Sequence, residues 1–95
     1  MTVLSDFEIR SEIDARLPGW SLDGGALTKR FTFRGFSAAM EFIDRMAEVA
    51  KASRHHPDFC SHYDVVDVSV TTHSAGGVTA ADLALARGIE AAAML

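Results

Sequence analysis

Leu27-Thr28-Lys29-Arg30-Phe31-Thr32-Phe33-Arg34 alternates with a period of two. In an extended chain Leu27, Lys29, Phe31 and Phe33 share one face, and Thr28, Arg30, Thr32 and Arg34 share the other. One apolar face and one polar face is the pattern of an antiparallel sheet covered on a single side. Lys29 is the exception on the apolar face, and near the start of the strand it is expected to reach water. Immediately upstream, Asp23-Gly24-Gly25 supplies a hairpin turn, and Trp20-Ser21-Leu22 begins the partner strand. Trp20 follows a helix stop at Pro18-Gly19 and is expected to anchor the core, with a stacking platform for a ring-shaped ligand as the alternative.

Working outward, Ser5-Asp6-Phe7-Glu8 has the form of a capping box, and Ile9, Ile13 and Leu17 repeat at helical spacing behind it. Downstream, Gly35-Phe36-Ser37 breaks the strand. Ser37 is the expected N-cap of a helix over residues 38–52, whose inner stripe is Met40, Ile43, Met46, Ala47 and Ala50, broadened by Phe42 and Val49. The two methionines of that stripe read as core filler. The helix must end near Arg54, because Pro57 pushes His56 to extended geometry. Residues 57–60 suit a short strand, and residues 63–72 a strong one, in which Val66, Val68 and Val70 alternate with Asp67, Ser69 and Thr71. Ser74-Ala75-Gly76-Gly77 reads as a flexible turn. Thr79-Ala80-Ala81-Asp82 is a second capping-box pattern, opening a helix with Leu83, Leu85, Ala86, Ile89 and Ala93 on its inner face. The order helix, two strands, helix, two strands, helix predicts an α+β two-layer sandwich: a four-stranded antiparallel sheet with helices on one face. Ninety-five residues give one domain, 1–95.

Net charge is −4, and Lys29-Arg30 is the one adjacent basic pair. A protein living on phosphate contacts needs clustered Lys and Arg, so nucleic acid is not an expected partner. No apolar run approaches the ~20 residues of a membrane helix. No signal-peptide pattern appears, and the one cysteine, Cys60, has no partner within the chain. A cytoplasmic protein is expected, with Cys60 buried or half-buried as a small apolar residue.

All four histidines fall between Arg54 and His73: His55, His56, His62 and His73. Histidine titrates near neutrality and is suited to moving protons. His55 and His56 lie just past a helix end, and as neighbours in an extended segment they point to opposite sides. Pairing of the strand that ends at His73 with the segment after Pro57 would bring His73 beside His55. Three readings stay open on these residues: acid–base catalysis by paired imidazoles, a metal site, since imidazole suits zinc, copper and iron, or surface histidines. His62 has no evident partner and reads as exposed.

His55-His56-Pro57, Tyr63, His73 and Asp82, at these intervals, resemble the signature of the pterin-4a-carbinolamine dehydratases. The similarity covers the whole chain, including the Leu17-Pro18-Gly19-Trp20 corner, Phe31, Phe33 and Phe36, and Gly76-Gly77-Val78-Thr79 before Asp82. The resemblance implies a lyase that dehydrates 4a-hydroxytetrahydropterin to the quinonoid dihydropterin and recycles the pterin cofactor of aromatic amino acid hydroxylases. It implies no metal and no organic cofactor. It makes His55, His56 and His73 the catalytic histidines, with His55 and His73 as acid and base. It makes His55, His56, Pro57, Thr72, His73, Ser74 and Ala75 the pterin cradle. It also implies a homodimer or homotetramer, built through sheet edges and helices. The alternative from the same resemblance is a protein-binding module, since mammalian relatives serve as dimerisation cofactors of a homeodomain transcription factor. Two positions depart from the common pattern: Lys51 stands where relatives often carry glutamate, with Glu48 one turn earlier, and Phe59 stands where they often carry tryptophan.

Overall fold

The computed structural model describes residues 2–95. Its elements are α1 (Asp6–Arg16), β1 (Ser21–Asp23), β2 (Ala26–Thr32), α2 (Phe36–Ser53), β3 (Asp58–His62), β4 (Val65–Val70), a 3₁₀ turn (His73–Ala75) and α3 (Ala80–Ala93). This is the predicted order, and the four strands form one antiparallel sheet in the order β1-β2-β4-β3. The chain leaves β2, crosses through α2 to the far edge at β3, and returns to the centre as β4.

Local chemistry sets the helix starts. The Ser5 hydroxyl accepts the Glu8 N–H at 3.1 Å, and Glu8 Oε1 accepts the Ser5 N–H at 2.9 Å. That bond to the Ser5 backbone holds the Glu8 carboxyl below its ordinary range. Between β1 and β2 the chain reverses through Gly24 and Gly25, at φ 58° and 78°, a pair of left-handed positions that glycine adopts without strain.

The register places Phe31 opposite Val66, Leu27 opposite Val70, and Phe59 opposite Val68. Leu27, Phe31, Val66, Val68 and Val70 are buried on one face, under Ile9, Leu17, Trp20, Phe42, Met46, Leu85 and Ile89 from the helices and their approaches. Burying each such side chain contributes about 1.5–3 kcal/mol. The opposite face carries Thr28, Arg30, Thr32, Asp67 and Ser69. There Arg30 donates two hydrogen bonds to Asp67, at 2.7 and 3.0 Å. The guanidinium holds the Asp67 carboxyl below its ordinary range. Stability from this pair is therefore complete above the ordinary aspartate value and is lost as pH falls through the lower folded value. Asp67→Asn is expected to flatten the dependence of the urea midpoint on pH below about pH 4, while leaving it near the wild-type value at the acid end of the titration.

Several expectations are corrected. α2 begins at Phe36 rather than after Ser37, because Gly35 O accepts the first helical bond, from Ala39 N–H at 3.2 Å. Its buried stripe is Ala39, Phe42 and Met46, with Met40, Ile43 and Val49 half-buried and Ala47 exposed. Phe42 packs against Phe31 and Phe33, with ring centroids 4.9 and 5.0 Å away, and this contact sets the rotation of the helix. The strand expected over 63–72 starts two residues later, because Tyr63 and Asp64 form a two-residue turn after β3, with Tyr63 at φ 57°. Cys60 is exposed, because β3 is an edge strand and Cys60 pairs with Asp67 on the polar face. Lys29 does not stand free in water: its ammonium donates to Glu90 Oε1 at 2.7 Å and to Pro18 O at 3.2 Å, beside the Trp20 indole N–H, which donates to the same carboxylate. The glycine-containing segment after His73 is not loose. The 3₁₀ turn is closed by a Thr72–Gly77 bridge.

Candidate active site

α2 stops at Arg54, whose φ of 55° turns the chain out of the helix. Pro57 then holds His56 extended. Between these constraints the His55 ring swings toward α3, and its Nε2 lies 2.5 Å from Asp82 Oδ1. Asp82 is fully buried and the His55 side chain is 21% exposed. Asp82 occupies the third position of α3, where helix N-termini favour negative charge. Its other oxygen, Oδ2, accepts the Thr79 N–H at 2.8 Å and the Thr72 hydroxyl at 2.7 Å. The end of α2, the end of β4 and the start of α3 thus meet on one carboxylate.

That carboxylate decides the tautomer of His55. Every other bond to Asp82 comes from a donor, and an ionised carboxylate only accepts. His55 Nε2 must therefore carry a hydrogen and donate it, which leaves Nδ1 as the acceptor of the neutral ring.

His73 opens the 3₁₀ turn one residue after Thr72. Its side chain is 81% exposed, with Nε2 3.8 Å from Asp58 Oδ2 at the start of β3. Ser74 is exposed and Ala75 half-buried on the same turn. Thr72, which precedes the turn, is buried, at 7% exposure. His56 and Pro57 line an apolar cleft of about 200 Å³ together with Met46, Ala47, Ala50 and Phe59. His55 and Thr72 thus meet on Asp82, His73, Ser74 and Ala75 follow Thr72 directly in the 3₁₀ turn, and His56 and Pro57 line the apolar cleft beside the end of α2. His62 is exposed at the far end of β3, 3.7 Å from Asp67. Lys51 is held by its own helix: the ammonium donates to Glu48 Oε2 at 3.0 Å, with both side chains exposed.

A concavity of about 490 Å³ lies elsewhere, on the uncovered sheet face around Arg30 and Asp67. It shares Asp58 with the histidine end. It lies on the open sheet face with the Arg30–Asp67 pair, whereas the His55–Asp82 pair lies beyond the end of β4. Among the described residues no three His, Cys, Asp or Glu side chains converge as a metal-ligand set, and none of the helices is long and apolar enough to cross a membrane.

Sequence reasoning placed Asp82 in a capping box and in the family signature but missed that it holds His55. Its capping-box position was the available signal, since that site brings a carboxylate to a helix start with one oxygen still free.

The profile of the family described as "Pterin 4 alpha carbinolamine dehydratase" matches residues 2–92. A protein of Thermomicrobium roseum is 45% identical over 92% of each chain, and one of Afipia carboxidovorans is 49% identical over 90% of this chain and 86% of its own; each bears the name "Putative pterin-4-alpha-carbinolamine dehydratase". A crystal structure described as a transcriptional coactivator/pterin dehydratase from Brucella melitensis superposes with a TM-score of 0.90 at 37% identity, covering 97% of this chain and 99% of that one. The chain belongs to the pterin-4a-carbinolamine dehydratase family. A pterin dehydratase-like protein identified as a RuBisCO assembly factor in the alpha-carboxysome shares the fold, with a TM-score of 0.69 at 24% identity over 80% of this chain and 90% of its own.

Proposed function

We propose that this protein dehydrates 4a-hydroxytetrahydropterin to the quinonoid dihydropterin, working in the cytoplasm to recycle the pterin of aromatic amino acid hydroxylases. The observation that carries the reading is the His55–Asp82 pair, joined through Thr72 to the turn that begins with the exposed His73. In the reaction the C4a–O bond breaks, the hydroxyl takes a proton and leaves as water, and a ring nitrogen gives up a proton as the C=N bond forms. Neutral His55, with its hydrogen held on Nε2 by Asp82, offers Nδ1 as the base. His73, open to solvent, delivers the proton to the leaving hydroxyl and is reprotonated from water. His56 and Pro57 bind on one side of the pterin. His73, Ser74 and Ala75 bind on the other, with the buried Thr72 preceding them. The chemistry asks for oriented imidazoles and no metal.

The fold is also that of a protein identified as an assembly factor, so the sheet and helices alone do not distinguish an enzyme from a protein-binding module. Stopped-flow decay of freshly generated 4a-hydroxytetrahydropterin distinguishes them. Metal-free wild type is expected to accelerate it, and a folded protein without effect would leave the binding-module reading standing.

The proposal includes a homodimer or homotetramer. All five residues of β3 are exposed along a sheet edge with unpaired backbone groups, and β3 itself carries neither Lys nor Pro to blunt that edge. Sedimentation equilibrium tests this directly, and a monomer across the micromolar range would refute it.

A further inference from the structure

Thr72 is the residue through which the two halves of the site touch. Its hydroxyl lies 2.7 Å from Asp82 Oδ2 and 2.9 Å from the Thr79 hydroxyl. Its N–H donates to Gly77 O at 3.1 Å, and its carbonyl accepts the N–H groups of Ala75 and Gly76, each at 3.0 Å. Its side chain therefore grips the carboxylate that orients His55, while its backbone closes the turn that begins with His73.

The direction of these bonds follows from the acceptors. A threonine hydroxyl has one hydrogen. The Asp82 carboxylate only accepts, so the Thr72 hydrogen points to Oδ2, and the Thr79 hydroxyl donates to Thr72. The chain runs Thr79 to Thr72 to Asp82, with the His55 Nε2–H arriving at the other carboxylate oxygen. β-Branching stiffens χ1 of Thr72 and fixes where its hydroxyl points. The carboxylate torsion of aspartate is broad by itself. The bond from Thr72 narrows it, and the His55 ring follows.

We propose that Thr72 is a positioning residue that sets the placement of His55 relative to His73, acting through Asp82 and without hydrogen-bonding the substrate itself. The proposal rests on the dehydratase reading for its kinetic consequence but not for its structural one. Thr72→Val keeps the shape and removes the hydroxyl, and Thr72→Ser keeps the hydroxyl. In stopped-flow assays Thr72→Val is expected to lower kcat between about 10- and 100-fold, with KM changed less than about 3-fold, and Thr72→Ser to recover to within about 3-fold of wild type. In ¹⁵N NMR, wild-type His55 is expected to show the Nε2–H tautomer alone, and folded Thr72→Val a mixture, because the carboxylate freed at Oδ2 turns and lets the ring leave Oδ1 for part of the time. Wild-type kcat in folded Thr72→Val, or Thr72→Ser as impaired as Thr72→Val, overturns the proposal. If Thr72→Val does not fold, the wild-type spectrum decides: a slowly exchanging Thr72 hydroxyl proton supports the clamp, and a freely exchanging one overturns it. If wild type proves inactive on the pterin, the dehydratase reading fails while the tautomer comparison still tests the clamp.

Discussion

Asp82→Asn is expected to slow pterin dehydration on the order of 10²–10⁴-fold. The Oδ2 side of Asp82 receives two donors, the Thr79 N–H and the Thr72 hydroxyl, and the Oδ1 side receives one, from His55. An asparagine has one accepting oxygen, and it belongs on the side with two donors. Its NH₂ group then faces His55 Nε2, which must become an acceptor, so the imidazole hydrogen moves to Nδ1. The nitrogen proposed as the base is occupied, although the ring has hardly moved. The fold should survive, weakened by about 1–3 kcal/mol for a fully buried charge-assisted network turned neutral. Rates, urea unfolding and the ¹⁵N tautomer of His55 test the three parts separately. A folded Asp82→Asn enzyme with wild-type turnover would remove the His55–Asp82 pair from the mechanism.

His73→Ala is expected to lose a similar factor, about 10²–10⁴-fold, with almost no cost in stability. The side chain is 81% exposed, and its one ion-pair partner, Asp58, is 3.8 Å away and 74% exposed. Pairs so open to water contribute little to folding. The melting temperature should therefore stay within about 2–4 °C of wild type, the usual range for a surface substitution in a domain of this size, while turnover collapses. Together the two variants separate roles: Asp82→Asn lowers stability and rate, and His73→Ala lowers rate alone. A His73→Ala protein that unfolds, or that keeps full activity, would contradict the assignment of His73 as acid.

The parts of the fold that could be read from sequence are those whose cause is local. Both capping boxes announce themselves within four residues, and the alternation around Phe31 and Val68 needs only a period of two. Boundaries failed where the local signal pointed the wrong way. Tyrosine is a poor turn former, so the reversal at Tyr63 was hidden, and Ser37 is a better N-cap on paper than Gly35. Once β3 is known to run from Asp58, parity alone places Cys60 on the polar face with Asp58 and His62. The histidines of the site were legible as residue types near neutrality, and their spacing as a family resemblance. What joins them was not: His55 and Asp82 are 27 residues apart, Thr72 and Asp82 ten, and no periodicity connects them. Lys51 illustrates the same limit. Its charge was visible, but that it turns to Glu48 was not.

Tyr63 belongs to the same signature as His55 and Pro57, yet it sits at the other end of β3, about 16 Å along a five-residue strand, with its ring stacked on Phe36. The five-residue interval between Pro57 and Tyr63 is thus a length of strand rather than a chemical distance. It works as a ruler. One residue more or fewer would exchange the two faces of β3, sending Phe59 outward and Cys60 inward against Met46. A substitution within the segment leaves both its ends in place; a change in its length does not.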